Sequence, residues 1–141
     1  MIPGADARLL LDTHAFVWAL TAPERLAAPA CAVLEDPSRV VLLSAASIWE
    51  IAIKVERRRW PEAAALLDDL DATLRRLTIA VLPIGPGHAR LAGLLAWDHR
   101  DPFDRMLAAQ AIIEDAVFVT ADHAFATLPA KAGLKRCWDG I

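Results

Sequence analysis

Several things are scarce in this 141-residue sequence, and each scarcity closes off a class of protein. The two cysteines, Cys31 and Cys137, have neither metal-ligand spacing nor the density of a disulfide scaffold. No apolar run approaches the roughly 18 residues needed to cross a bilayer, and stretches such as Val40 to Leu43 are strand-sized. The N-terminus shows no basic segment followed by a long apolar one. These features predict a soluble, cytoplasmic protein with no membrane partner and with both thiols reduced. Positive charge is not in excess: 15 Lys and Arg against 18 Asp and Glu give −3, so no global basic field advertises nucleic acid. Also missing are a Walker A loop, a Gly-x-Gly-x-x-Gly turn and a Gly-x-Ser-x-Gly elbow, which removes support for nucleotide-cofactor and serine-nucleophile chemistry. His14, His88, His99 and His123 show no regular metal spacing.

What is present is apolar residue in quantity, 56% of the chain with a mean hydropathy of +0.35. Such a chain buries enough surface to fold, and its length suits one core, so residues 1–141 are expected to form a single domain. Short apolar runs at Leu9–Leu11, 39–43, 78–82 and 117–120 read as buried strands, with a last short one at 135–138. Between them lie helical patterns. Thr13 to Leu20 places Phe16, Val17 and Leu20 on one side, and a broken helix follows to about Glu35. From Ser47, Ile48, Ile51, Ala52 and Val55 recur at helical spacing, with Trp49 and Ile53 widening the apolar face. After Pro61, leucines 66, 67, 70, 74 and 77 predict one amphipathic helix. Gly85-Pro86-Gly87 opens another, and Pro102 begins one running to about Asp115.

Strands alternating with helices predict an α/β architecture with a mainly parallel sheet, in which ligands sit beyond the carboxyl ends of the strands. Acids stand at three such exits: Asp12 ends the first strand, Glu50 follows the second and Asp122 lies past the fourth. Asp104 joins them from the first turn of a helix, beside the polar knot Asp98 to Asp101. If the four carboxylates converge, their repulsion demands a cation, and hard oxygen donors suit Mg2+ or Mn2+. Such an ion suits phosphodiester chemistry.

Local structure also explains each acid without function. Asp12 and Asp122 are placed to cap helices, and Asp101-Pro102-Phe103-Asp104 has the form of a capping arrangement. Glu50 pairs with Lys54 at i, i+4, although Trp49, Ile51 and Ile53 are expected to crowd that pair into a narrow polar notch. The five tryptophans are expected mostly in core or interface packing.

The motifs Leu9-Leu-Leu-Asp12-Thr-His-Ala, Ser44-Ala-Ala-Ser-Ile-Trp-Glu50-Ile-Ala-Ile-Lys54, His99-Arg-Asp-Pro-Phe-Asp104-Arg-Met-Leu-Ala-Ala-Gln-Ala111 and Val119-Thr-Ala-Asp122 resemble the PIN-domain family. More narrowly, they resemble the VapC-type toxins of bacterial toxin–antitoxin pairs. The resemblance spans nearly the whole chain in order and spacing. It departs at Val55 to Trp60, where similar sequences often carry a glycine before a Lys-Leu pair.

That resemblance implies a three-layer fold, a central mainly parallel sheet of about five strands flanked by helices, and an endoribonuclease that hydrolyses RNA with Mg2+ or Mn2+. It implies that Asp12, Glu50, Asp104 and Asp122 are the catalytic and metal-holding acids. Thr13 and Thr120 then donate hydrogen bonds to them, and Asp101 either bonds within the cleft or caps its helix. Lys54, Arg57 and Arg105 are expected to meet the RNA backbone. A homodimer and a cognate antitoxin, whose C-terminal segment lies across the groove, are the implied protein partners. Two rivals stand beside this reading: a receiver-like signalling module, and a non-catalytic interaction domain whose acids are only helix caps.

Overall fold

Three leucines, Leu9–Leu11, form the first strand, β1, and their alternating side chains decide how the layers are filled. The computed structural model describes residues 3–137. Four further strands, β2 (Val41–Ser44), β3 (Ile79–Leu82), β4 (Val117–Val119) and β5 (Lys135–Cys137), complete one sheet in the order β3-β2-β1-β4-β5. Every pairing is parallel.

Leu10 aligns with Leu42 on one side and Phe118 on the other, and these three point to a core shared with Trp97, Leu107, Ala108 and Phe125. Their neighbours Leu9, Leu11, Val41, Leu43 and Val119 point the opposite way, to a core shared with Phe16, Val17, Ile51 and Leu74. Each such leucine, fully buried, stabilises the fold by roughly 1.5–3 kcal/mol relative to exposure. The central strands β1 and β4 are apolar throughout because both of their faces are covered.

The core around Leu9, Leu11 and Phe16 is roofed by α1 (Thr13–Thr21), α2 (Ala28–Glu35), α3 (Ala45–Glu56), α4 (Ala64–Asp68) and α5 (Leu70–Leu77). The core around Leu10 and Phe118 is roofed by α7 (Pro102–Ile113), with α6 (Pro86–Leu94) packed on it. The chain thus steps outward from β1 to β3 across one face and returns across the other to lay β4 beside β1. The gap between the carboxyl ends of β1 and β4 is the topological switch point, where open parallel sheets bind ligands.

Three expectations need correcting. Of the leucines after Pro61, 66, 67, 70 and 74 share one core while Leu77 is exposed, and they do not share one helix: a 3-10 turn at Pro61–Ala63 precedes α4, and Asp69 leaves helical geometry (φ −125°, ψ 32°) before α5. Leucine spacing records which side is buried and is blind to a break that keeps that side inward. Second, the strand expected from residue 39 begins at Val41, and Val40 is half exposed. Third, Thr78 is not a strand residue. It adopts the left-handed conformation (φ 56°) that terminates α5, and its amide bonds back to the Arg75 and Leu74 carbonyls. Of the last expected strand, residues 135–137 form β5, and Trp138 lies outside the described residues.

Candidate active site

At the switch point a single polar cleft enclosing about 110 Å³ is lined by Asp12, Thr13, His14, Glu50, Lys54, Asp101, Asp104 and Asp122. The four acids expected at strand exits and at the start of α7 are all in this lining. Each is held differently.

Asp12, buried at the end of β1, caps α1 with one oxygen, which accepts from the Ala15 amide at 2.7 Å. Its other oxygen accepts from the Thr120 hydroxyl at 2.6 Å, a bond that ties β1 to the residue leaving β4. Two bonds leave further lone pairs on a carboxylate that can accept about four. Capping and a place in the cleft are therefore compatible. Burial raises the Asp12 carboxyl above its ordinary range, the Thr120 and Ala15 bonds and His14 oppose this, and the charge of Asp122 adds to it.

Glu50 is buried on α3. It accepts from Thr13 at 2.7 Å and from Lys54 at 2.8 Å, and the Ser47 hydroxyl stands 2.9 Å from that of Thr13. The surroundings expected for Glu50 are corrected by Trp49, which is 61% exposed and meets Phe103 edge-on at 5.1 Å. Asp104 lies in the first turn of α7 and bonds the His99 ring at 2.6 Å. Burial pushes its carboxyl up to about 6. The His99 bond pulls the other way, while the charges of Asp101 and Glu50 push it further up. Asp122 is exposed and caps the turn after β4, accepting from Ala124 at 2.9 Å. Asp101 caps α7 through the amides of Phe103 and Asp104, at 2.8 and 3.1 Å, while also lining the cleft.

Arg105 is the clear departure from expectation. All five of its N–H groups are directed inward, to the carbonyls of Ala92, Gly93, Leu95, Trp97 and His99 at 2.8–3.4 Å. It closes the carboxyl end of α6, where carbonyls lack helical partners, and fixes the loop that delivers His99 to Asp104. Its donors thus meet backbone carbonyls, and it is not among the residues that line the cleft. Lys54 faces the cleft with its Nζ 5.4 Å from the Trp60 ring centroid, and Arg57 is exposed at the end of α3. His99 and Ser47 were missed as site residues. Their signal lies in tertiary pairing with Asp104 and Thr13, which no spacing records.

The donor set is five carboxylates, two of them raised first by burial and then by neighbouring acids, so the chemistry fits a hard divalent ion. The fit stops short of a finished ligand cage: among the described residues, no three Asp, Glu, His or Cys side chains are gathered to hold a metal. Mg2+ needs no such cage. It is usually held by one or two carboxylates, with waters and substrate phosphates completing its shell.

An α/β protein with an acid-lined cleft at its switch point is the class that fold and site define. The PIN domain family matches residues 9–131, and the chain belongs to that family. No curated protein matches it in sequence. Among solved structures it is similar to VapBC2 from Rickettsia felis, bound to a promoter DNA fragment, at 18% identity and TM-score 0.65, covering 91% of this chain and 96% of that one. It is also similar to DNA-bound VapBC from Salmonella typhimurium (19%, TM-score 0.62, 92% and 96%) and to FitAcB from Neisseria gonorrhoeae (21%, TM-score 0.60, 91% and 95%). At these identities the likeness speaks to the fold.

Proposed function

We propose that the chain is a Mg2+- or Mn2+-dependent endoribonuclease, the toxin of a VapC-type toxin–antitoxin pair, with Asp12, Glu50, Asp104 and Asp122 as its metal-holding acids. The observation that carries this reading is the meeting of those four acids, from four separate parts of the chain, in one cleft beside β1 and β4. Membership of the PIN family and likeness to toxin–antitoxin complexes support it. When bound, the ion supplies an activated water and neutralises charge on the phosphorus-bound oxygens.

The chain's own residues do the positioning. Thr120 and the Ala15 amide fix Asp12, Thr13 and Lys54 fix Glu50, and His99, held by the Arg105 clamp, fixes Asp104. Lys54 also sets one positive charge in an otherwise acidic lining, where a phosphodiester must approach. Arg57, exposed at the end of α3, is the neighbouring candidate for backbone contact. A cognate antitoxin covering the cleft, a homodimer and a cytoplasmic setting belong to the same proposal.

The test is cleavage of single-stranded RNA by the purified protein, with Mn2+ or with EDTA. Wild type is expected to cut only with the ion, and Asp12→Asn is expected to lose cleavage while keeping its fold. Cleavage undiminished in EDTA, or in Asp12→Asn, would remove the acid cleft from the chemistry. Mn2+ titration of Asp104→Asn separates the interaction-domain rival, which is indifferent to metal.

A further inference from the structure

Beside the acid cleft a second hollow of about 220 Å³ is lined by Asp12, His14, Trp18, Ala121 and Asp122. Three of those residues, Asp12, His14 and Asp122, also line the cleft, so the two spaces adjoin. Trp18 supplies the hollow's one large aromatic wall. Its ring is braced: Arg25 stands 5.5 Å from the centroid, and His14 meets it edge-on at 5.5 Å and 62°. Arg25 is not among the residues lining the hollow; it borders, with Trp18, a second and much smaller cavity. His14 in turn packs on Trp60 at 4.7 Å, and Lys54 lies 5.4 Å from the Trp60 ring. A row of aromatic rings with a cation at either end thus flanks the acids. Single-stranded nucleic acid is bound in this way, with bases on rings and phosphates on nearby cations.

We infer that the hollow is a subsite for an unpaired nucleobase adjoining the scissile phosphate, stacked on Trp18. This rests on the nuclease reading above and adds to it a contact for one unstacked base beside the bond that is cut. A phosphate resting against the acids brings the next base to the shared wall of Asp12, His14 and Asp122. Trp18 pre-pays the ordering because its ring is already fixed by Arg25 and His14.

The experiment uses a single-stranded RNA that wild type cuts at a mapped bond, and the same RNA made abasic on either side of that bond. With wild type, one abasic RNA is expected to raise KM about tenfold with kcat little changed. Trp18→Ala is expected to show the raised KM with intact and abasic RNA alike, and Trp18→Phe to restore the difference. A Trp18→Ala protein that distinguishes the two RNAs as wild type does overturns the subsite. So does a Trp18→Ala protein whose mass in solution changes while its RNA kinetics do not, since the ring then serves a protein contact. If wild type cuts no RNA, the nuclease reading and the subsite fall together; if it cuts and Trp18 is indifferent, only the subsite falls.

Discussion

At the scale of single residues, the site is built by side chains that serve two neighbours at once. Asp12 caps α1 and accepts from Thr120, and Asp101 caps α7 while lining the same cleft. Arg105 carries this furthest, because its five donors finish the end of α6 and hold the loop that carries His99. Lysine keeps the charge but offers three donors from a point rather than five from a planar fork. Arg105→Lys is therefore expected to lower stability by roughly 2–4 kcal/mol, since carbonyls at part-buried positions lose their partners. Urea unfolding measures this. A variant as stable as wild type but weaker for RNA would restore the backbone-contact role that the sequence suggested for Arg105.

At the scale of elements, helix starts at the cleft are fixed by acids, which separates capping from chemistry by substitution. Asp101 accepts two amides at the start of α7, directly after which Pro102 takes the position that needs no donor. Asp101→Ala is expected to cost about 1 kcal/mol of stability, while Asp101→Asn, an equally good cap, costs little. Equal losses in thermal unfolding would show that charge in the cleft, rather than the cap, is what Asp101 contributes. The elements were legible where burial has a period: Leu9–Leu11 and Val117–Val119 are strands sealed on both faces, and continuous apolar runs say so. They were illegible where geometry depends on one torsion, as at Asp69 between α4 and α5 or Thr78 beyond α5. The acids were found because strand exits in a parallel sheet lead to one edge, a rule of topology that sequence order conveys. Trp49 was misplaced because apolar character alone did not reveal that its helix turns it toward Phe103 and solvent.

At the scale of the whole molecule, gathering carboxylates beside a sheet end sets function against stability, and the conflict has a pH signature. Burial, then the neighbouring charges of Asp101 and Glu50, raise Asp104 from an ordinary 3.8 to about 6, and burial raises Asp12 as well. Between pH 3.8 and about 6 the folded chain holds the Asp104 proton more tightly than the unfolded chain does. Linkage then requires that this group's contribution to stability fall as pH rises through that window, and that the full penalty be present above it. Asp36, held below the usual carboxylate range by Ser38, and Asp115, held down by Lys135, act in the opposite direction. Both are unchanged in an Asp104 variant and cancel from the comparison. In EDTA, Asp104→Asn is accordingly expected to melt several degrees above wild type at pH 7.5, with the gap closing toward pH 4, because asparagine keeps the shape and sheds the charge. Thermal unfolding of the two proteins across that range is the measurement. A gap of one size at every pH would mean that Asp104 carries no buried-charge penalty, and the electrostatic case for a cation in this cleft would lose its main support.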